Sequence, residues 1–257
     1  KCGNSANDKS RLRIDKGGLM NRNAYRGRNV EILFRNSVSD HPSVINAIKS
    51  AYSITGNFRT GISSGIHAEK RDVTLEFTCG RNIDANIKSY GEMAYNQMTR
   101  TSIEHFCGEF GLSCQDWLEE LFLSKARNVS QKLFSESEQP KALGIFSPIA
   151  RRMVKWSLSA KTSREILVLF ASPESLFRIY KMDDVLRHVG YDIGFTARGN
   201  LTIGDYIVFQ RKGGNGASYC HMRKDDIRHP GNNVQLKLKV QDFVDGMKPY
   251  MLSSYGV

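Results

Sequence analysis

Arg71-Asp72-Val73-Thr74-Leu75-Glu76-Phe77-Thr78-Cys79-Gly80-Arg81-Asn82-Ile83-Asp84-Ala85-Asn86-Ile87-Lys88 alternates apolar and polar side chains twice, with a turn between. Val73, Leu75 and Phe77 alternate with Asp72, Thr74 and Glu76, the two-residue period of a half-buried strand. Gly80-Arg81-Asn82 has turn chemistry, and Ile83, Ala85 and Ile87 then alternate with Asp84, Asn86 and Lys88. The stretch therefore predicts a β-hairpin. With the turn centred near Gly80, Asp72 is expected to face Lys88, with Thr74 facing Asn86 and Glu76 facing Asp84. One face then carries an acid, an amide and a lysine. On spacing alone, a solvated cross-strand salt bridge between Asp72 and Lys88 is the more economical reading.

Outward from the hairpin, the chain has the composition of a globular protein. Its 257 residues, 40% hydrophobic and 25% charged, suffice for one large core or two modest ones. The balance of 37 Lys and Arg against 26 Asp and Glu leaves a formal charge of +11. Such a surplus favours a polyanionic partner, because neutralising phosphates releases condensed counterions. There is no basic amphipathic helix or long apolar stretch, which argues against a membrane partner. Cys2, Cys79, Cys107, Cys114 and Cys220 form an odd set without close metal-ligand pairing. With no secretory signal legible, reduced thiols in a cytoplasm are expected. Cys220-His221 with His229 lacks a second ligand pair and reads as loop composition.

The first twenty-odd residues read as a polar, basic arm. Val30, Leu33 and Phe34 share one face of a helix, and a second helix starts at Pro42 and carries Val44, Ile45, Ile48 and Tyr52 as far as Gly56. Gly56 to Gly65 reads as a Gly- and Ser-rich loop. Thr101-Ser102-Ile103-Glu104 has capping-box spacing before a helix burying Ile103, Phe106, Cys107 and Phe110. Ser113 to Asp116 repeats the signal ahead of Trp117, Leu118, Leu121 and Phe122. Ser135 to Pro140 is polar, acidic and ended by proline, so it is the expected linker between a region 1–138 and a region 139–257. Past it, strands are expected near 166–170, 176–180, 193–196, 201–203, 206–210 and 234–240, with a short helix over 183–189. The expected class is α/β (α+β): a mixed sheet flanked by helices, followed by a β-rich half.

The hairpin face has a definite chemical logic. Hydrolysis of a phosphodiester needs a cation beside the shielded phosphorus and a polarised water. Asp72 offers hard carboxylate oxygens for Mg²⁺, Asn86 a neutral amide oxygen and Ile87 a backbone carbonyl. Lys88 can hold the attacking water and stabilise charge in the transition state. Glu31, on the preceding helix, is either a further carboxylate for the metal or a solvent-facing residue. A second signal lies downstream, where Arg198-Gly199-Asn200 precedes Gln210-Arg211-Lys212-Gly213-Gly214-Asn215. Arg and Lys suit guanine O6 and N7, Asn and Gln suit adenine, and glycines admit close backbone approach. A solvated basic turn is the bland alternative. Tyr95-Asn96-Gln97 is a third, weaker cluster, able to press on DNA or to be a polar loop.

In this order the pieces resemble the small monomeric type II restriction endonucleases of the MspI and HinP type. The likeness is densest from Asp192 to Phe243, through Arg198-Gly199, Gly204, Gln210-Arg211-Lys212-Gly213-Gly214 and Val234-Gln235-Leu236-Lys237. It recurs from Asp72 to Gln97, where Asn86-Ile87-Lys88 is similar to an amide-bearing form of the PD-(D/E)xK nuclease motif. The resemblance implies a restriction-endonuclease-like core and Mg²⁺-dependent cleavage of double-stranded DNA at a short palindrome, expected to be four base pairs of the GCGC or CCGG kind. A monomer with a separately encoded companion methyltransferase, in a bacterial or archaeal cytoplasm, goes with it. Asp72, Asn86 and Lys88 then inherit catalysis, with metal held by Asp72, Asn86 and Ile87. Gln97, Arg198, Asn200, Gln210, Arg211, Lys212 and Asn215 inherit DNA contact. Two features depart from the family: Arg71 stands where proline or serine is common, and 217–232 is an insert whose Arg223, Lys224 and Arg228 offer further phosphate contacts. A non-enzymatic DNA-binding protein is the competing reading.

Overall fold

A computed structural model describes residues 22–63, 71–91, 95–214 and 221–257, with side chains from residue 27 onward. The expected basic arm, Cys2, Cys220, Asn215 and the start of the insert lie outside the described residues. The described chain forms helices α1 (Arg22–Ser37), α2 (Pro42–Ala51), α3 (Ile103–Phe110), α4 (Gln115–Arg127), α5 (Gln139–Phe146), α6 (Ala150–Leu158), α7 (Met182–His188) and α8 (Val240–Gly246). Its strands are β1 (Phe58–Ser63), β2 (Val73–Phe77), β3 (Asn82–Tyr90), β4 (Tyr95–Thr101), β5 (Glu165–Ala171), β6 (Leu176–Lys181), β7 (Ile193–Phe195), β8 (Leu201–Ile203), β9 (Ile207–Arg211), β10 (Val234–Lys239) and β11 (Met251–Gly256).

Two sheets result. The first runs β1-β2-β3-β5-β6-β11 and is mixed, since β3 and β5 are parallel and its other pairs antiparallel. The second, β4-β10-β9-β8-β7, is antiparallel throughout. This is the mixed α/β class expected, with helices flanking the sheets. Every residue of β5 is buried because both its faces are covered. Ile166, Val168 and Phe170 join Val30, Phe34, Val44 and Ile48 of α1 and α2 in one core. Leu167 and Leu169 join Phe106, Phe122, Met153 and Leu158 in the other, which continues into Leu201, Phe209, Leu236 and Leu238 of the second sheet. Helices α3, α4 and α6 thus fill the space between the sheets.

The boundary expected at 138/139 does not coincide with either sheet. The first sheet takes β5, β6 and β11 from the later half, and the second takes β4 from the earlier half. Nor is Ser135 to Pro140 a linker: Leu133 and Phe134 before it are buried, Glu138 accepts a hydrogen bond from Trp117 Nε1 at 2.7 Å, and α5 starts at Gln139. Acidic, polar composition there serves a turn on top of an aromatic core, where Phe134 packs on Trp117, Phe146 and Phe209.

Other local expectations shift by a residue or an element. The cap of α3 is Ser102, whose hydroxyl accepts from His105 N, so the third helical position holds His105 and the Thr101 to Glu104 box does not form. The cap position of α4 is Cys114. The Gly56 to Gly65 stretch, expected as loop, contains β1, an edge strand whose Phe58, Gly61 and Ser63 face Phe77, Leu75 and Val73.

Candidate nuclease centre and nucleic-acid face

The 71–88 hairpin forms, but with another register. Thr74 faces Asp84 and Glu76 faces Asn82, so the turn centres on Cys79, three residues from Glu76 and three from Asn82. Gly80 takes the left-handed turn position at φ 75° and donates its N–H to Phe77 O. The expected pairs of Asp72 with Lys88, Thr74 with Asn86 and Glu76 with Asp84 are therefore displaced by two residues. A two-residue slip leaves every side chain on its original face, which is why the alternation still reads correctly.

At the open end of the hairpin the ladder breaks. Ala85 faces Val73, yet its carbonyl also accepts from Asp72 N at 2.9 Å. Two successive residues against one is the arrangement of a bulge, which re-aims the extra side chain. The Asp72 carboxylate turns to β3 and its Oδ2 accepts from Ile87 N at 2.6 Å. Lys88 folds back onto the same point, with Nζ 3.6 Å from Asp72 Oδ2 and donating to Ile87 O at 3.1 Å. Both charged side chains keep only 18% of their exposure. Asn86 is 2% exposed and donates Nδ2 to Leu158 O at 2.6 Å, at the end of α6. Its Oδ1 is buried and has no hydrogen-bond partner among the described residues, a costly condition for an amide oxygen.

Those oxygens are donors of the hard kind that a divalent cation takes. Asp72 and the Ile87 carbonyl already converge on one positive charge, the Lys88 ammonium, and Asn86 Oδ1 is an oxygen donor with nothing bound to it. Among the described residues, no three His, Cys, Asp or Glu side chains group as metal ligands. Two of the donors here, an amide and a carbonyl, are of another kind. Glu31 is half-buried on α1, whose Val30 and Phe34 pack into the core that holds Ile83, Ala85 and Ile87. It thus stands on the helix that covers the apolar face of β3.

The strand that follows leads from this centre to the second sheet. Asn96 Nδ2, on β4, donates to Ser89 O, one residue beyond Lys88. Tyr95-Asn96-Gln97, weighed as a loop, is the start of this strand, pairing with Lys239, Leu238 and Lys237 of β10. Val234, Leu236 and Leu238 of β10 enter the core. Gln235 and Lys237 therefore look outward, beside Gln210 of β9 and Gln97 and Arg100 of β4. Lys237 Nζ lies 5.7 Å from the Tyr95 ring centre, on the same outer face. Amides and cations populate this face, and no carboxylate stands among these positions.

At the end of the sheet the positive charge crowds. Arg198 is exposed in a turn held by Gly199 N to Thr196 O and by Thr196 N to Asn200 O, both 2.8 Å. Gly199, at φ 70°, lies so close to Phe134 O that a Cβ would stand 2.6 Å from it. Arg211 Nε donates to Asn232 Oδ1 at 2.7 Å, and Asn232 is itself buried and fixed to the carbonyls of Lys224 and Asp226. Lys212 and Gly213 are bound through their N–H groups to Asn233 O and Gly231 O. Burial, then repulsion from Arg198 and Arg211, holds Lys125 below the ordinary lysine range. Burial, then Arg100 and Arg211, does the same to Lys212, and burial alone lowers Arg211 and Lys237. Among the described residues none of Arg100, Lys125, Arg198, Arg211, Lys212 or Lys237 forms an ion pair. Lys125 and Arg100 carry no signal in the sequence, and Gln235 and Lys237 enter there only within the resemblance, with no role; their places on α4, β4 and β10 become neighbours only through the fold.

The insert contrasts with this cluster. Arg223 pairs with Asp225 at 3.0 Å and Arg228 with Asp226 at 2.7 Å. Its expected phosphate-binding arginines are thus charge-compensated locally. His229 is buried, and its Nδ1 accepts from Gly231 N at 3.0 Å, shaping the turn behind Gly213.

No protein-family model matches this chain, and no curated protein does. Among solved structures it is similar to the crystal structure of restriction endonuclease MspI in complex with its cognate DNA. The two share 14% identity over 81% of this chain and 82% of that one, with a TM-score of 0.46. At that identity and score the overlap assigns no residue a role. Among the described residues, no helix is long and apolar enough to cross a membrane.

Proposed function

We propose that this chain is a site-specific endonuclease of double-stranded DNA, with its reacting centre at Asp72, Asn86, Ile87 and Lys88. The observation that carries this reading is the convergence of Asp72 Oδ2 and the Ile87 carbonyl on the Lys88 ammonium, beside a buried Asn86 Oδ1 without a partner. Asp72, Asn86 and the Ile87 carbonyl would hold Mg²⁺, which when bound supplies charge neutralisation at the phosphate and a more acidic water. Lys88 orients that water and stabilises the negative charge that builds on the phosphate oxygens. The Ile87 N–H fixes the Asp72 carboxylate, and the Leu158 carbonyl fixes the Asn86 amide with its oxygen turned away from that bond. Glu31 is a further carboxylate for the water shell.

The outer face of the second sheet supplies the grip. Its uncompensated cations take the phosphates and its amides read base edges, with Gln97, Gln210, Arg211 and Lys212, and Arg198 and Asn200 of the neighbouring turn, as the contacts; Asn215, outside the described residues, is proposed as a further contact on the resemblance alone. The full proposal is a type II restriction enzyme acting as a monomer on a short GC-rich palindrome, with a separate methyltransferase protecting the host DNA. Incubation of purified protein with unmethylated DNA and Mg²⁺ tests it. Discrete fragments that vanish with EDTA are expected. Gel retardation without cleavage would instead mean a DNA-binding protein, in which Asp72 and Lys88 are a salt bridge and nothing more.

A further inference from the structure

Three amides stand in file across the outer face of the second sheet. Gln210 of β9 donates Nε2 to Gln235 Oε1 at 3.3 Å, and Gln235 of β10 donates Nε2 to Gln97 Oε1 of β4 at 2.6 Å. The middle amide is 5% exposed, while Gln97 is exposed and Gln210 half-buried. Gln210 and Gln235 are directly paired across their strands. Gln97 instead faces Lys237, which makes Gln235 its diagonal neighbour, about 7–8 Å away between backbones and within reach of two long side chains. The pairing of β4 with β10 slips between Leu236 and Lys237, and such a slip re-aims side chains along an edge.

A buried amide must satisfy both its ends, and here each end is met by another amide. The chain of bonds consequently has a direction. Gln97 has its oxygen occupied and presents its N–H groups outward, whereas Gln210 spends one N–H and keeps its oxygen. From this geometry we infer that Gln235 is a positioning residue for sequence discrimination: it presets Gln97 as a donor and Gln210 as an acceptor towards the edges of duplex DNA. A donor pair suits guanine O6 and N7, and an acceptor suits the amino group of cytosine or adenine. The inference rests on the proposal that this face meets DNA, but not on the chemistry at Asp72.

The test uses the full chain and duplexes with a randomised core, scoring each sequence for both capture and Mg²⁺-dependent cleavage. Gln235→Met keeps the volume and removes both bonds. It is expected to lower the preference for the best sequence over the average by roughly tenfold, and to lower kcat/KM on that sequence through KM rather than kcat. Gln235→Glu can accept but not donate, so Gln97 must turn its N–H groups inward and its oxygen outward. The preferred base at the Gln97 contact is then expected to change, not merely to weaken. Circular dichroism and melting confirm that each variant folds, and either one alone suffices for the test. Unchanged preference in a folded Gln235 variant overturns the inference and leaves the nuclease reading standing. Selective capture without cleavage by the wild type overturns the nuclease reading, while the capture profiles still decide on Gln235. Absence of any sequence preference in the wild type overturns the inference.

Discussion

The hairpin centre and the outer face of the second sheet handle charge in opposite ways. At the centre one carboxylate and one ammonium lie 3.6 Å apart, and each is also tied to the backbone of Ile87. On the sheet face and its rim, six cations form no ion pair among the described residues, and burial, then repulsion among them, holds Lys125 and Lys212 down. A balanced cluster can be held rigid before any ligand arrives, as transition-state stabilisation requires. An unbalanced one carries strain that only an anion relieves, as a phosphate-binding surface requires. Linking them through β3 and β4 puts a rigid centre beside a charged platform.

The largest effect is expected at Asp72. Asp72→Asn is expected to lower cleavage by about 10²–10³-fold and to melt near the wild type, because an amide oxygen still accepts from Ile87 N. Asp72→Ala should lose cleavage equally and also about 1–3 kcal/mol of stability, since that buried N–H then lacks an acceptor. Denaturation curves beside cleavage rates separate the two. If both variants cut like the wild type, the centre lies elsewhere.

Asn86 sharpens the same contrast, because its two ends have different tasks. Asn86→Asp gains a charged oxygen for Mg²⁺ and loses the donor to Leu158 O. The Mg²⁺ concentration for half-maximal cleavage should fall by about tenfold, while stability drops by about 1–3 kcal/mol. A variant that needs the same Mg²⁺ concentration would remove Asn86 from the metal.

On the charged side, Lys125→Ala or Arg211→Ala should weaken DNA binding several-fold and each reduce the salt slope by about one. Asp72→Asn should leave that slope unchanged. Equal slopes across all these variants would dissolve the distinction between centre and platform.

The smallest effect is a protonic one. Lys125, Lys212 and Lys237 have folded pKa values below the ordinary 10.5. Between the lowered values and 10.5 the unfolded chain therefore binds more protons, and stability rises with pH through that window. Phosphates restore the charged form, so DNA binding within that window should take up protons, less so in Lys212→Ala. Calorimetry in buffers of different ionisation enthalpy reads this directly, and zero uptake would contradict the lowered lysine values.

Much of this was legible along the chain. Val73, Leu75 and Phe77 against Ile83, Ala85 and Ile87 disclose the hairpin, since period two follows directly from the pleat. Its register was not legible, because Gly80 occupies one position of the turn and not its centre. Nor was the bulge at Asp72, which appears only in the bond from Asp72 N to Ala85 O. β4 was hidden because Tyr95-Asn96-Gln97 is polar, and a strand with one solvated face need not look apolar. The linker at Ser135 to Pro140 misled for a similar reason: polarity marks a solvent-facing turn whether or not a boundary lies beneath it. The cluster of Lys125 with Arg198 and Arg211 joins three distant segments, which no local pattern records.

The role of the hairpin centre is decided by Lys88→Ala, with cleavage and retention measured on the same unmethylated DNA in Mg²⁺. Cleavage at least about 10²-fold slower with retention preserved is expected, because Lys88 acts on the reacting phosphate and the grip lies on the second sheet. Cleavage at the wild-type rate by this variant would contradict it.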